Sequence, residues 1–217
     1  MNKHVSLSVN PKVSDWLEFR PSGRVILHTG KVNIGQHITS ALVLIAAEEL
    51  NIDPNQIAVA QTRTGSSPNE NYTVGSQSMQ HSGYAIKKAA ATARNELTMR
   101  AAKFFGVSVE QMKIEDGNLF IEKTNQSISY WELVKNAPLE CYVDETVNVK
   151  NYALYQLQGK HHIARGMWDI VTGKYEFIQD LKLPNMLHAR VIRPPQYHAK
   201  LVSVEKKLID KLADENI

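Results

Sequence analysis

The longest periodic run in this sequence has an apolar stripe built largely of alanine. Ile86, Ala90, Ala93, Leu97, Ala101 and Phe104 recur at helical spacing, and Lys87, Lys88, Arg94, Glu96, Arg100 and Lys103 fill the intervening polar positions. A helix with so shallow a buried face has to lie close against its neighbour, because alanine leaves almost no side-chain volume to fill a gap. An earlier run, Ile38, Ala41, Leu42, Ile45, Ala46 and Leu50, has the same period, and Asn51 and Pro54 end it.

Strand signals surround these helices. Leu17-Glu18-Phe19, the turn residues Pro21-Ser22-Gly23 and Val25-Ile26-Leu27-His28 read as a hairpin, and Gln56 to Ala60 as a further strand. Met112 to Glu115, the pair Asp116-Gly117 and Asn118 to Ile121 form the strongest local hairpin signal. Ser129 and Glu132 have capping-box spacing for a short helix carrying Trp131 and Leu133. The order predicts a mixed α and β domain over residues 1–137. Residues 138–163 show no long periodic run and read as a linker. A second unit over 164–217 has three strand-like segments, Gly173 to Phe177, Met186 to Ile192 and Ala199 to Val204, and a helical fragment from Glu205 to Ala213. That second unit buries too little to be stable without help.

Composition removes several function classes. The 25 basic and 22 acidic residues leave a formal charge of +3, without a basic stripe interleaved with aromatics, so nucleic-acid binding is disfavoured. The run Ala41 to Ala47 is far shorter than the roughly 20 residues of a membrane span. The N-terminal residues lack a secretory or twin-arginine pattern, which makes a cytoplasmic location the expectation. One cysteine, Cys141, permits neither an internal disulfide nor an iron-sulfur cluster held by this chain.

Two segments carry the chemistry. His28 to Ile38 places Gly30, Gly35 and Gln36 immediately before a helix, where free N–H groups and the helix dipole favour an anionic or strongly polar ligand. Tyr72 to Gly83 places Gly75, Ser76, Gln77 and Ser78 before the second helix, with hydroxyls and amides suited to a phosphate. Each reads more simply as an ordinary polar helix start; the two together strengthen the case for a shared anionic ligand beyond what either offers alone, without outweighing that simpler reading. Glu48 and Glu49 read as solvated residues near a helix end, and Lys87-Lys88 and Lys206-Lys207 as exposed helix charges. His161-His162 lack the flanking ligands of a zinc site, and Cys141 lacks a catalytic partner pattern.

Several motifs in one order resemble a known family. They are His28-Thr29-Gly30-Lys31-Val32 with Ile34-Gly35-Gln36, Ala46 to Leu50, Ser67-Pro68-Asn69-Glu70 with Tyr72-Thr73 and Gly75-Ser76, Ser82-Gly83, Val171-Thr172-Gly173, and Asp180 to Pro195. Together these resemble the large, molybdopterin-binding subunits of the xanthine dehydrogenase and aldehyde oxidase superfamily, of the nicotinate dehydrogenase and isoquinoline oxidoreductase type. The resemblance implies a molybdopterin-binding segment followed by the start of a small hammerhead-like α/β domain. It also implies a molybdenum-dependent oxidoreductase that oxidises an aldehyde or N-heterocycle with water as oxygen source.

The same resemblance places Gln36 beside the metal centre as the catalytic residue and puts Gly35, Gly75, Ser76, Gln77 and Ser78 at the pterin, with or without an attached nucleotide. The pterin holds the molybdenum, so no protein ligand to the metal is implied. Iron-sulfur clusters belong to a partner subunit, and the family's catalytic glutamate belongs to a remaining large-subunit region that this sequence does not contain. The chain is therefore expected to be inactive alone. His37 departs from the family, which usually has glycine after the glutamine. The alternative expectation is a non-catalytic fragment that serves as an assembly piece or remnant.

Overall fold

A short helix, α1 (Val5–Val9), leads into the first hairpin, in which β1 (Leu17–Arg20) pairs antiparallel with β2 (Arg24–Leu27) through a turn that needs the positive φ of Gly23. The computed structural model describes residues 4–122, 124–135, 137–207 and 209–210. Helix α2 (Ile38–Leu50) follows, and the chain returns as β3 (Ile57–Val59), which pairs parallel with β2 in the order β1-β2-β3. A parallel return requires a crossover, and α2 is that crossover. Both strands of the first predicted hairpin, the predicted strand at 56–60 and the first helix therefore form one strand-helix-strand unit.

Helix α3 (Tyr84–Phe105) continues from a wider π turn at Met79–Gly83 and packs along α2. The alanine stripe is the contact. Ala46 and Ala47 of α2 and Ala85, Ala89, Ala90 and Ala93 of α3 are fully buried. At Gly83 a β-carbon would lie 3.3 Å from Ile45 Cδ1, tighter than an ordinary contact. Around this seam Leu42, Leu50, Ile86 and Leu97 are also fully buried, each contributing about 1.5–3 kcal/mol by leaving water.

The Asp116-Gly117 turn forms as expected, with φ of 45° and 72°, and joins β4 (Met112–Glu115) to β5 (Asn118–Ile121). A further strand, β6 (Ser127–Ser129), pairs with β5 and runs into α4 (Tyr130–Lys135). The capping box is present: Ser129 donates N–H and O–H to the Glu132 carboxylate, and Glu132 N–H donates to Ser129 Oγ. The end of α2 docks this second sheet. Asn51 takes the left-handed conformation, its Nδ2 donates to Ile114 O at 2.8 Å, and the buried Tyr130 hydroxyl donates to Leu50 O at 2.9 Å.

Residues up to Val171 form one compact unit, ending in α5 (Met167–Val171). The stretch 138–163, read as a linker, is fastened to both long helices. Lys88 Nζ donates to Glu145 O and Val147 O, and Arg94 Nη2 donates to Asn148 O. Glu48 accepts from the N–H groups of Gln156, Leu157 and Gln158 and from Lys150 Nζ at 2.6 Å. Glu49 accepts from Arg94 Nη1 at 3.0 Å and from Lys150 N. The expectation that Glu48 and Glu49 are solvated is thus overturned: they are 1% and 0% exposed. Lys87 and Lys88 are half-buried rather than exposed, with Lys87 Nζ donating to Tyr155 Oη. The covering segment lies about 100 residues away in sequence, beyond the reach of any local pattern.

The second unit runs from Thr172 onward. Residues 173–177, 186–192 and 199–204, expected as strands, form no ladder among the described residues. Their apolar side chains stay open to water, Leu187 at 91%, Ile192 at 92% and Val202 at 94% exposure. Extended segments with strand propensity remain unpaired when no neighbouring edge supplies backbone partners. One short helical turn, Ile178–Asp180, is closed by Phe177 N–H donating to Asp180 Oδ2. Residues 206–207 and 209–210 are helical, within the fragment expected from Glu205; positions 208 and 211–213 lie outside the described residues.

The Glu48 clamp has a pH signature. Burial alone would raise its pKa, but the Lys150 ammonium and three N–H groups outweigh burial and hold it down to about 2, against an ordinary 4.5. A depressed pKa stabilises the fold above the unfolded value and loses that stabilisation as pH falls through the folded one. Glu48→Gln is expected to cost about 3 kcal/mol at pH 7 and to flatten the loss of stability between about pH 5 and pH 2. Urea denaturation across that range measures both.

Candidate functional site

Because β2 and β3 are parallel neighbours, the loops that follow them leave the sheet at the same end. In open α/β sheets this carboxyl end is where ligands bind. The first loop runs from His28 to His37 and enters α2; the second runs from Ala60 to Ser76 and enters the helical turn ahead of α3.

Two charged side chains tie the loops together. Glu70 Oε2 accepts from Thr29 Oγ1 and from Gly30 N, both at 2.8 Å. Lys31 Nζ donates to Glu70 O at 2.6 Å and to Tyr72 O at 2.8 Å, and Val32 N–H donates to Thr73 Oγ1. Thr62 Oγ1 adds a bond to Thr29 O. Lys31 is 1% exposed and Glu70 6%. Gly30 allows this approach: a β-carbon there would sit 2.2 Å from Pro68 O.

Beyond the ties the loops open to solvent. Gly35 has φ of 102° and open space where a β-carbon would stand. Gln36 is exposed and folded onto its own loop, Nε2 donating to Val32 O at 3.0 Å and Oε1 accepting from Ile34 N. Asn33 braces the start of α2, exchanging bonds with Thr39 Oγ1 and Thr39 N. His37, where the resembled family usually has glycine, is held left-handed at φ 57°. That conformation favours glycine, and His37 is among the residues lining a separate groove along α2.

In the second loop Gly75 and Ser76 are both left-handed, at φ 62° and 56°. Ser76 and Gln77 are exposed and Ser78 half-buried. The helix begins at Gln77, so the amides of its first turn have no intrahelical acceptor. Ile34, Tyr72, Val74 and Met79 are exposed on the same two loops and their helix start, at 48% or more. The six residues picked out from sequence, Gly35, Gln36, Gly75, Ser76, Gln77 and Ser78, therefore sit on two tethered loops at one end of a parallel strand pair. None of them lines the groove of about 1110 Å³ on α2, whose walls include Ser40, Leu44, Asn51 and Lys150. Among the described residues no group of three or more His, Cys, Asp or Glu could hold a metal ion. His162 Nε2 lies 2.8 Å from Leu157 O, and burial pushes the Cys141 thiol pKa up.

Residues 3–177, which include both loops and the stretch fastened by Glu48, match the model of the molybdopterin cofactor-binding domain family. The chain belongs to this family. As a molybdopterin cofactor-binding domain it is 33% identical over 196 residues to a nicotinate dehydrogenase subunit of Pseudomonas putida, covering 88% of this chain and 16% of that protein. It is 23% identical to the beta subunit of isoquinoline 1-oxidoreductase from Brevundimonas diminuta, covering 87% and 29%. The chain thus spans less than a third of the length of the curated relatives it matches. Reconstituted CO dehydrogenase from Oligotropha carboxidovorans has the same mixed α and β fold over 61% of this chain and 18% of its own, with a TM-score of 0.51 at 23% identity. No helix among the described residues is long and apolar enough to cross a membrane.

Sequence reasoning places Lys31 and Glu70 within the loop motifs, and Glu70 among the carboxylates nearest them, but gives neither a role in joining the loops. The available signal was a lone Lys directly after the glycine of one loop and a lone Glu after Pro68 in the other. Gly30→Ala tests the close approach: the added methyl meets backbone, not a movable side chain, and is expected to cost about 2–3 kcal/mol in urea denaturation.

Proposed function

We propose that this domain supplies one edge of a molybdopterin site in a molybdenum-dependent hydroxylase or dehydrogenase. Gly35, Gln36, Gly75, Ser76, Gln77 and Ser78 are the contact residues. The observation that carries the reading is the pair of glycine-bearing loops that leave adjacent parallel strands and are tied together at Gly30–Val32 and Glu70–Thr73.

The residues present suit such a group. Open space at Gly35 lets a planar ring system approach backbone, while left-handed Gly75 and Ser76 turn the chain into the first turn of a helix. First-turn amides without an intrahelical acceptor, of which Gln77 N–H now bonds Val74 O, would with the Ser76 and Ser78 hydroxyls suit a phosphate or the dinucleotide form of the cofactor. Gln36 gives up two local hydrogen bonds on turning outward, about 1–2 kcal/mol, which a polar ligand at the loop edge replaces. Exposed Ile34, Tyr72 and Val74 shield the ligand from water.

When bound, the molybdenum cofactor supplies the oxidation of an aldehyde or N-heterocycle carbon with a water-derived oxygen. Gln36 is then the residue of this chain at the reacting centre, orienting groups by its carboxamide. An iron-sulfur subunit would be the partner that takes up the electrons. The remaining large-subunit region completes the site and pairs with residues 164–217 as the start of a hammerhead-like domain. The likeness to one subunit of nicotinate dehydrogenase supports a multi-subunit assembly. A cofactor-free assembly piece is the second reading, favoured by the exposed apolar segment 183–204.

The test is purification from a host that makes molybdenum cofactor, alone and with the products of neighbouring genes, followed by assays for molybdenum and for fluorescence of the oxidised pterin. Cofactor is expected with the partners, and Gln36→Ala and Ser76→Ala are each expected to lower its content roughly fivefold or more. A stable complex of the chain and its partners that never acquires pterin contradicts the proposal and leaves the assembly piece.

A further inference from the structure

We infer that Glu70 and Lys31 are positioning residues that couple the two glycine-bearing loops into one rigid unit and thereby set the gap that a pterin enters. The inference rests on the proposed function for the pterin, whereas the coupling itself can be measured without it.

Glu70 and Lys31 form an expensive way to join two loops. The Glu70 carboxylate is buried, and its Oε1 has no hydrogen-bond partner among the described residues. The Lys31 ammonium is buried too, and its described partners are two backbone carbonyls, not a carboxylate. Burying each charge costs desolvation, which is offset only because each holds main-chain groups that an apolar side chain would leave unsatisfied. What charged groups add is direction. Glu70 Oε2 has to lie in line with two donors at 2.8 Å, the Thr29 hydroxyl and the Gly30 amide. Lys31 has to reach across to Glu70 O and Tyr72 O.

Each side chain grips the other's loop, across sequence separations of 39 to 41 residues, so neither loop can shift along the sheet end without the other. The grip sits directly behind the ligand-facing residues. Val32, bonded to Thr73, leads within a few residues to Gly35 and Gln36, and Thr73 leads as directly to Gly75 and Ser76. Small displacements at Glu70 therefore pass to both loops.

Hydrogen exchange by mass spectrometry on the cofactor-free full chain tests the coupling. Glu70→Leu removes the carboxylate grip, Lys31→Met the ammonium grip, and Glu70→Gln keeps one acceptor oxygen in place. Leu119→Ala, in the core of the second sheet, is a control for lost stability. Glu70→Leu and Lys31→Met are each expected to speed exchange roughly tenfold or more in both 29–36 and 70–78, with Glu70→Gln close to the parent and Leu119→Ala selective for neither loop. Should Glu70→Leu not fold, Thr29→Val removes one of the two donors and carries the same expectation.

Faster exchange confined to one loop, or equal behaviour of Glu70→Gln and Glu70→Leu, overturns the inference. In the cofactor-loaded complex, pterin content is expected to fall in Glu70→Leu and to be rescued in Glu70→Gln. If the parent complex itself holds no pterin, the proposed function fails while the exchange result still decides the coupling.

Discussion

The contact between the two long helices sets the geometry of everything near the loops. It can be close only because alanine lines both sides and Gly83 meets Ile45 at the top of the seam. Helix α2 is also the crossover that makes β2 and β3 parallel neighbours, so the seam decides where both strands end. From those ends the two loops emerge side by side, each running into the start of one of the helices that form the seam. A larger residue in the stripe would spread the helices and with them the loop ends.

Buried charge is used in this domain to hold irregular backbone. Glu48 gathers three consecutive N–H groups of a segment with no regular structure, Glu49 gathers Arg94 and the Lys150 amide, and Glu70 gathers Thr29 and Gly30. In each case the carboxylate replaces the ladder of a strand as the partner of main-chain donors, which would otherwise lie buried and unsatisfied. Loops built this way keep exposed polar residues on a fixed base. Gln36 and Ser76 are open to solvent, yet the residues four and three positions before them are fastened.

Much of this was legible in the sequence because it is written in local pattern. Helical spacing marked both long helices, Asp116-Gly117 marked its turn, and Ser129 with Glu132 marked a cap that forms as read. The glycines and polar residues ahead of each helix marked both loops. What was not legible depends on partners distant in sequence. Glu48 and Glu49 look like surface residues until Lys150, Arg94 and the backbone at 156–158 cover them, and β6 is visible only once β5 offers it an edge. The opposite error occurred in 173–204, where strand propensity is plain but the described residues provide no edge to pair with. The loops that carry Gln36 and Ser76 could be located from sequence; the Glu70 and Lys31 ties that hold them could not, because nothing local shows that Pro68 passes over Gly30.

The most direct test of the account is a structure of this chain purified with its partners from a host that makes molybdenum cofactor. The account predicts density for the pterin against residues 33–36 and 75–78, with the Gln36 amide turned away from Val32 and the Glu70 bonds to Thr29 and Gly30 intact. A pterin bound elsewhere, such as in the groove along α2 beside Ser40 and Lys150, or loops that close on each other in an assembled complex without cofactor, would contradict it.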